Sequence, residues 1–262
     1  MSFHLVTLNI KESNAPEETS AFKEELLGGY ASAPVIFGLQ ELDVNAPRSR
    51  RLNVPEIIAN GDDYRFTASV EYDAKSGTER WTDQDQKPAL YGIGLIAANA
   101  TILSSHSIPL GPDEDRFWQA CQKGGQNHEI EPRKALLCEI QLAKGTVWVA
   151  TTHLAYHPNR TKPNRIRQKQ IQALLKAVGT IVPSQAPLVL CGDFNATPEN
   201  PDLEPLRQHF TQAQFNEPTK ITKTGTREQI DHIFYRNLKE SKKACVIETT
   251  FSDHSAVLAH FR

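Results

Sequence analysis

The sequence predicts an α/β protein in which strands outnumber helices and at least part of the sheet is antiparallel. Eight short runs rich in Val, Ile, Leu, Phe and Thr are typical of strands, whereas only three segments carry helical signals. The runs at 135–142 and 146–153 are joined by Lys144-Gly145, which favours a hairpin and therefore antiparallel pairing. No repeat, linker or change in composition divides the chain, and we expect one domain spanning residues 1–262.

The predicted strands are short apolar runs bounded by polar or turn-forming residues. In chain order they cover residues 3–10, 35–39, 91–98, 135–142, 146–153, 188–191, 230–235 and 255–261. Long polar segments rich in Pro and Gly lie between them, and we expect irregular loops at 43–63, 73–89 and 107–132.

Three helices are predicted from their end signals and from the spacing of apolar residues. Residues 17–27 begin with an acidic turn and end before Gly28-Gly29, which stops a helix. Residues 201–209 form a short helix behind a Thr-Pro turn. Residues 165–178 end before Gly179 and carry one stripe made by Ile166, Gln170, Ala173 and Leu174.

Composition excludes several classes of protein. The chain is 39% hydrophobic and 23% charged, which is ordinary for a globular protein. Its 29 Lys and Arg residues against 31 Asp and Glu residues give a net charge of −2, which excludes a strongly basic nucleic-acid coat protein but not a local basic groove. No apolar run is long enough for a transmembrane helix.

The N-terminal residues and the cysteines bear on the compartment. The N-terminus has neither a basic segment nor a long apolar segment, so we expect a cytoplasmic protein, with export by a route that needs no such signal as the alternative. The four cysteines are scattered without a C-x-x-C pair, as in a reducing compartment. Cys121 and His128 lack two further zinc ligands at a suitable spacing, and we predict no zinc site.

Polar residues that can bind metals or transfer protons follow the predicted strands. Sheet proteins gather ligand groups at strand ends, where loops leave the core. Carboxylate, amide and imidazole groups with few soft ligands suit Mg²⁺ or Mn²⁺. The residues concerned are Asn9, Glu41, His153, Asp193, Asn195, Asp231, Asp253 and His254.

Each of these elements has an ordinary structural interpretation when taken alone. Gly192-Asp193-Phe194-Asn195 is typical of a turn, and Ser252-Asp253-His254 of a cap. Gln40-Glu41 is typical of a solvated strand end, and His153 of a core histidine with its hydrogen bonds satisfied. Their occurrence together in one order favours a functional set.

That ordered set is T-L-N, L-Q-E, T-T-H-L, G-D-F-N, I-D-H-I and S-D-H, and it resembles the endonuclease/exonuclease/phosphatase superfamily of metal-dependent phosphoesterases. The resemblance runs from Thr7 to about Phe261, and the G-D-F-N and S-D-H motifs are its most specific parts. It implies a four-layered α/β/β/α sandwich, in which two mostly antiparallel sheets pack face to face with helices outside.

The resemblance also implies roles for residues on the metal side. Glu41 is similar to the principal Mg²⁺ ligand, with Asn9 beside it, and Asp253 is similar to a further metal-side carboxylate. Asp193 resembles the carboxylate that orients or deprotonates the attacking water. Asn195 resembles the amide that holds a phosphate oxygen.

Further roles concern the scissile phosphate. His254 resembles the imidazole at this phosphate, paired with and oriented by Asp231. His153 stands where the deoxyribonuclease and sphingomyelinase branches keep a histidine. Arg133 matches an arginine near the phosphate in some branches, although a surface charge explains it equally well.

The charge pattern suggests a polyanionic substrate. No acidic residue occurs between Glu139 and Asp193, and five cations fall within residues 160–169. One interpretation is a positive rim beside the site that includes Arg165 and Arg167; the other is a solvated helix face. Further cations before Asp231 could extend such a rim, namely Lys220, Lys223 and Arg227.

These observations predict a Mg²⁺-dependent phosphodiesterase of the nuclease type, with Mn²⁺ as a substitute cation. It would hydrolyse its substrate by metal-assisted attack of water, with an Asp base and a His–Asp pair. A phosphomonoesterase or a sphingomyelinase-type phospholipase is the alternative within enzymes, and a catalytically silent phosphate-binding domain is the alternative outside them. The predicted partner is a phosphate-ester substrate, with nucleic acid the first candidate; the sequence indicates no protein partner.

Overall fold

The computed structural model describes residues 2–30, 33–73, 75, 79–82, 86–122, 130–222 and 224–262. The strands in this part of the chain are β1 (Phe3–Asn9), β2 (Val35–Val44), β3 (Asp63–Tyr72), β4 (Ala89–Ala98), β5 (Thr101–Gly111), β6 (Arg133–Leu142), β7 (Gly145–His153), β8 (Leu188–Asp193), β9 (Thr211–Gln212), β10 (Lys220–Ile221), β11 (Arg227–Glu228), β12 (Asp231–Arg236), β13 (Glu240–Ile247) and β14 (Ala256–Phe261). The helices are α1 (Pro16–Gly28), α2 (Val54–Ala59), α3 (Glu114–Gln122), α4 (Arg165–Ile181) and α5 (Glu204–His209), with short 3₁₀ turns at Pro47–Ser49 and Pro201–Leu203.

The strands form two six-stranded sheets and one two-stranded hairpin. The first sheet has the order β13-β14-β1-β2-β4-β3, the second β5-β6-β7-β8-β12-β9, and β10 pairs with β11. One central pair in each sheet is parallel, β1 with β2 and β7 with β8, and the other pairs are antiparallel. The prediction of mostly antiparallel sheets is confirmed.

The two sheets pack face to face, and helices cover their outer faces. Alternate residues of a strand point to opposite faces, so Leu5 lies in the core between the sheets while Val6 faces outward. Val6 packs in one apolar cluster with Leu26 of α1 and Ile58 of α2. On the other side, an apolar cluster joins the second sheet to α4 and α5. The predicted four-layered sandwich is confirmed.

The eight predicted strands are all present, and the strands that the sequence did not reveal include the edges of both sheets. The first sheet ends in β13 and β3, and the second in β5 and β9. An edge strand has one side without a partner strand and carries more polar residues. A prediction based on apolar runs therefore does not detect it. The short strands β10 and β11 were also missed.

Two of the predicted loops were wrong in part. Residues 43–63 contain the 3₁₀ turn and α2, and residues 107–132 contain the end of β5 and α3. Phe117 and Trp118 of α3 are buried, so apolar packing orders that segment. The segment 73–89 is only partly described, and His128 and Lys223 lie outside the described residues. In the part of the chain that the structure covers, no helix is both long and apolar enough to cross a membrane.

Candidate active site

Most of the predicted site residues meet at one edge of the two sheets. Asn9, His153 and Asp193 are the last residues of β1, β7 and β8, which are strands of the two central parallel pairs. β12 runs antiparallel to β8, so its first residue, Asp231, lies opposite Asp193. His254 precedes β14, which pairs antiparallel with β1. Strand direction therefore brings residues from distant parts of the chain together.

Asp193 is at the centre of the site. Its Oδ2 lies 3.2 Å from Asn9 Nδ2, which donates a hydrogen bond to it. The same oxygen is 3.6 Å from His153 Nε2 and 3.7 Å from His254 Nε2. Burial alone raises the pKa of Asp193, but the nearby imidazoles and cations outweigh it and hold the pKa below its usual range. The carboxylate is therefore kept charged among potential donors.

Gly192 fixes the position of Asp193. Its φ is +139°, a value that L side chains rarely adopt. A Cβ at this residue would lie 2.0 Å from the backbone oxygen of Thr152 on the neighbouring strand. Any larger residue would force β8 away from β7 and displace the carboxylate that follows.

A carboxylate and a hydroxyl orient His254. Its Nδ1 is 2.8 Å from Asp231 Oδ2, and the Thr219 hydroxyl donates to the same oxygen at 2.6 Å. Burial lowers the pKa of His254, but Asp231 and Asp193 more than reverse this and leave it raised. Asp231 Oδ1 is buried and has no hydrogen-bond partner among the described residues.

An arginine orients the second imidazole of the site. Arg133 is only 4% exposed, and its Nη1 donates to His153 Nδ1 at 3.0 Å. The proton of neutral His153 is then on Nε2, the nitrogen that faces Asp193. Burial and the Arg133 charge lower the pKa of His153 to about 3. The interpretation of Arg133 as a surface charge does not fit this buried position.

Glu41 lies at a β-bulge rather than at a strand end. β2 continues to Val44, and its pairing with β4 shifts between Gln40 and Leu42, with Glu41 at φ +62°. Asn9 Nδ2 donates to Glu41 Oε1 at 2.8 Å, and the Glu12 backbone N–H donates to Oε2 at 2.9 Å. Burial raises the pKa of this carboxylate. The bulge turns the acidic side chain toward Asn9.

Asn195 and Asp253 complete the set. The Asn195 backbone N–H donates to Asp193 Oδ1 at 2.8 Å, and its side-chain Nδ2 donates to the Leu154 carbonyl at 3.0 Å. Asp253 is partly exposed, and its Oδ2 is 3.4 Å from Lys220 Nζ. Asn195 therefore contacts the central carboxylate, whereas Asp253 contacts Lys220, which in turn contacts His254.

Arg165 and Arg167 lie on α4 and differ sharply in exposure. Arg165 is exposed to solvent, whereas Arg167 is fully buried and its Nε donates to Asp202 at 2.8 Å. The other two guanidinium nitrogens of Arg167 donate to the carbonyls of Asn195 and Lys162. Each guanidinium nitrogen of Arg167 thus donates to an acceptor within the protein. The structure does not bring Arg165 and Arg167 together at the site.

Three residues with contacts at or near the site were not predicted from the sequence: Gln40, Thr219 and Lys220. Gln40 is not a solvated strand end: it is buried, and its Nε2 donates to the hydroxyls of Thr7 and Thr151, one from each sheet. Thr219, which immediately precedes β10, contacts Asp231, and Lys220, the first residue of β10, contacts His254. Lys220 was considered only as a rim charge, and no local pattern distinguishes it or Thr219 from other polar loop residues.

The donor set fits a divalent cation. Ligand atoms of Asp193, Asp231 and His254 lie within 4.8 Å of one another, and all three residues are buried. Glu41 adds a partly exposed carboxylate beside Asn9. Oxygen donors dominate, as Mg²⁺ prefers, and the unpaired Asp231 Oδ1 is the kind of buried atom that a cation or water satisfies.

The model of the Endonuclease/Exonuclease/phosphatase family matches residues 6–254. The chain belongs to this family, whose members hydrolyse phosphoester bonds and are generally dependent on divalent metals. A comparison with curated proteins gives no match.

Several solved structures share the fold. The human Nocturnin catalytic domain with bound sulfate is 18% identical, with a TM-score of 0.69, covering 100% of this chain and 93% of that one. Danio rerio TDP2 complexed with a single-strand DNA product is 14% identical, with a TM-score of 0.63 and coverage of 100% and 99%. ANGEL2, a 2′,3′-cyclic phosphatase in complex with adenosine-2′,3′-vanadate, is 15% identical, with a TM-score of 0.66 and coverage of 100% and 95%.

Proposed function

We propose that the protein is a Mg²⁺-dependent phosphodiesterase that cleaves nucleic acid. The observation that carries this proposal is the arrangement around Asp193. One oxygen of its carboxylate faces the outer nitrogens of two imidazoles at 3.6 and 3.7 Å, which is longer than a hydrogen bond. Each imidazole has its own orienting partner, Arg133 or Asp231. The orientation of both imidazoles is therefore fixed before a phosphate group binds.

Glu41 and Asn9 would hold the cation, with Asp253 as a further metal-side ligand. Asn9 Oδ1 accepts from the Lys11 backbone N–H at 3.0 Å, and an amide oxygen has a second lone pair available. When bound, Mg²⁺ supplies a positive charge that offsets the negative charge on the phosphate oxygens. Asn9 Nδ2 donates to both Glu41 and Asp193, so the cation would bind near the buried Asp193 carboxylate as well.

Asp193 would act as the base toward the attacking water. Its pKa is held low, so it is charged, and among the described residues its Oδ2 accepts one hydrogen bond, from Asn9 Nδ2 at 3.2 Å. Its other oxygen is occupied by the backbone N–H of Asn195, which fixes the rotation of the carboxylate. A base held in one orientation can take a proton from a water placed in line with the scissile bond.

The two imidazoles would contact the phosphate. His153 presents an N–H at Nε2, because Arg133 donates to its other nitrogen. His254 is held by Asp231 and faces Asp193 from another direction. A donor fixed before the substrate arrives, such as His153 Nε2, stabilises developing charge without reorganisation. The Asn195 amide, which donates one hydrogen to the Leu154 carbonyl, would be a further donor.

Nucleic acid is the substrate class that we favour. Exposed cations follow β7 and continue onto α4, namely Lys162, Arg165 and Lys169. Such a row attracts a polyanion more strongly than a small phosphate ester. The TDP2 structure with a single-strand DNA product shows that this fold accommodates nucleic acid. Arg167 is excluded from our assignment because its charge is paired with Asp202.

The test is hydrolysis by the purified protein, first with Mg²⁺ and then with EDTA. The substrates are supercoiled DNA, RNA, bis(p-nitrophenyl) phosphate, p-nitrophenyl phosphate and sphingomyelin. The Asp193→Asn variant is assayed in parallel with the wild-type protein, because any activity it retains would indicate a contaminating nuclease. We expect cleavage of a nucleic acid that EDTA abolishes and that the variant lacks.

Other results would redirect the assignment. Metal-dependent hydrolysis of the monoester or of sphingomyelin alone would replace the nuclease with a phosphomonoesterase or a phospholipase. Hydrolysis that persists in EDTA would refute the metal requirement. A folded protein that cleaves nothing in the panel would refute the nuclease proposal and favour a phosphate-binding domain.

A further inference from the structure

Lys220 is held opposite His254 by the backbone. The two residues form an isolated antiparallel β-bridge, flanked by hydrogen bonds from Ile221 N–H to the Asp253 carbonyl and from Ser255 N–H to the Thr219 carbonyl, at 2.9 and 2.7 Å. Side chains of directly opposed residues point to the same face of such a pair. The amine of Lys220 is therefore directed to the side on which the imidazole of His254 lies.

The amine lies inside the site rather than on its rim. Lys220 Nζ is 2.8 Å from His254 Nε2 and 3.4 Å from Asp253 Oδ2, and its side chain is 18% exposed. Because His254 Nδ1 faces Asp231, its Nε2 accepts the hydrogen bond from the ammonium group. This is the same nitrogen that faces Asp193.

Neighbouring contacts fix the segment that carries Lys220. The Thr219 hydroxyl donates to Asp231, and the Thr219 backbone N–H donates to the Glu228 carbonyl across the hairpin. The Glu228 carboxylate pairs with Arg160 at 2.7 Å, which joins the hairpin to the loop after β7. The ammonium is thus positioned in advance, as binding groups in preorganised sites are.

An ammonium group has three protons to donate; one is directed to His254, Asp253 lies at ion-pair distance, and a further proton is available to a ligand. We propose that Lys220 is a phosphate-binding residue, whose ammonium donates to a non-bridging oxygen of the phosphate that His254 contacts. This inference rests on the proposed function, because it places the phosphate beside His254 Nε2 and Asp193. It differs from the rim interpretation, in which Lys220 attracts a polymer from a distance.

The direct test is the affinity for inorganic phosphate in the presence of Mg²⁺, measured by calorimetry. Lys220→Met should weaken binding about 10-fold or more, because hydrogen bonds between charged groups are stronger than those between neutral groups. Lys220→Arg should restore part of the affinity, since it restores the charge. Lys243→Met is the matched control: this lysine is exposed on the edge strand β13, and its variant should bind phosphate as the wild type does.

A second measurement separates binding from structure. The imidazole nitrogen resonances of His254 should shift when phosphate is added to the wild-type protein, because phosphate binds beside Nε2, and in Lys220→Met the same shift should need more phosphate. If Lys220→Met does not fold, Lys220→Gln keeps a donor without the charge and should bind more weakly than the Arg variant. Equal phosphate affinity in the wild type and the folded variants would overturn the inference, as would a wild type that binds no phosphate.

Failure of the proposed function would look different. A protein that hydrolyses no substrate but loses phosphate affinity in Lys220→Met alone would refute the enzyme and retain Lys220 as a phosphate ligand. If Lys220→Met hydrolyses nucleic acid at the wild-type rate and binds phosphate with the wild-type affinity, the inference about Lys220 is refuted and the proposed function stands.

Discussion

Two buried polar clusters lie close together in this molecule. They differ in whether their polar atoms all have hydrogen-bond partners within the protein. In the cluster around Arg167 and Asp202, every guanidinium nitrogen donates to the protein. Asp202 also accepts from the Asn164 backbone N–H and from Gln168. Both charged side chains are 0% exposed. No group of this pair is left for a ligand.

The cluster around Asp193 is incomplete. Asp231 Oδ1 and Arg133 Nε are buried without a hydrogen-bond partner among the described residues. The imidazoles stand too far from Asp193 for hydrogen bonds. A buried polar group without a partner is destabilising unless something else completes it. The comparison separates a cluster whose hydrogen bonds are all made within the protein from one whose buried polar atoms a ligand could satisfy.

The sharpest test of this comparison is Asp193→Asn. The amide keeps an oxygen for the Asn195 N–H but removes the charge and the base. We expect turnover to fall by about 10²–10⁴-fold, the usual contribution of acid–base catalysis, with an unchanged melting temperature. Steady-state kinetics and thermal unfolding measure both. Wild-type turnover would refute the role of Asp193.

The reverse pattern is expected for Asp202→Asn. This change leaves the buried Arg167 charge without its partner, which should lower the free energy of unfolding by about 3–5 kcal/mol. Turnover of the folded protein should fall far less than in Asp193→Asn. Urea unfolding checks this, with Glu204→Gln as control, since Glu204 is exposed and its pair with Arg207 contributes about 0–1 kcal/mol. Equal losses in the two variants would contradict the structural role of Asp202.

Glu41→Gln tests metal binding separately from the catalytic role proposed for Asp193. The amide retains the size of the side chain but not its charge, and we expect the Mg²⁺ concentration for half-maximal activity to rise at least about 10-fold. Glu12→Gln serves as control, because Glu12 contacts Glu41 through its backbone and directs its side chain to Arg48. An unchanged Mg²⁺ titration would remove Glu41 from the ligand set.

The smallest effect is expected at Arg165, outside both clusters. Arg165→Glu should slow cleavage of long nucleic acid and reduce the dependence of log affinity on log salt by about 1, while small substrates are cleaved as before. Lys243→Glu gives the same change of charge far from the proposed rim. Unchanged cleavage of plasmid DNA would show that the exposed face of α4 is only solvated.

The sequence predicted the centres of the sheets better than their edges. Apolar runs such as 35–39 and 188–191 mark strands that are buried on both faces. β5 alternates buried and exposed residues, and β13 contains two adjacent lysines, so neither resembles a core strand. The four layers followed from the family resemblance, because strand signals do not say which sheets pack together.

The sequence indicated which residues belong to the candidate site, because they follow apolar runs. It did not indicate the contacts between them. Glu41 reaches Asn9 only through a bulge, which depends on pairing with β4. Arg167 is different, because a signal was present. It is in helical phase with Gln170, Ile171 and Leu174, the buried face of α4, so its burial could have been inferred from spacing.

The first strand of the molecule pairs with its last, Phe3 opposite Phe261 and Thr7 opposite Val257. β14 is the neighbour of β1 on the side away from β2, and His254 immediately precedes it. The imidazole therefore takes its position beside Asp193 only when these first and last strands have paired. Pairings between residues so far apart in sequence slow folding, so completion of the centre depends on a long-range contact.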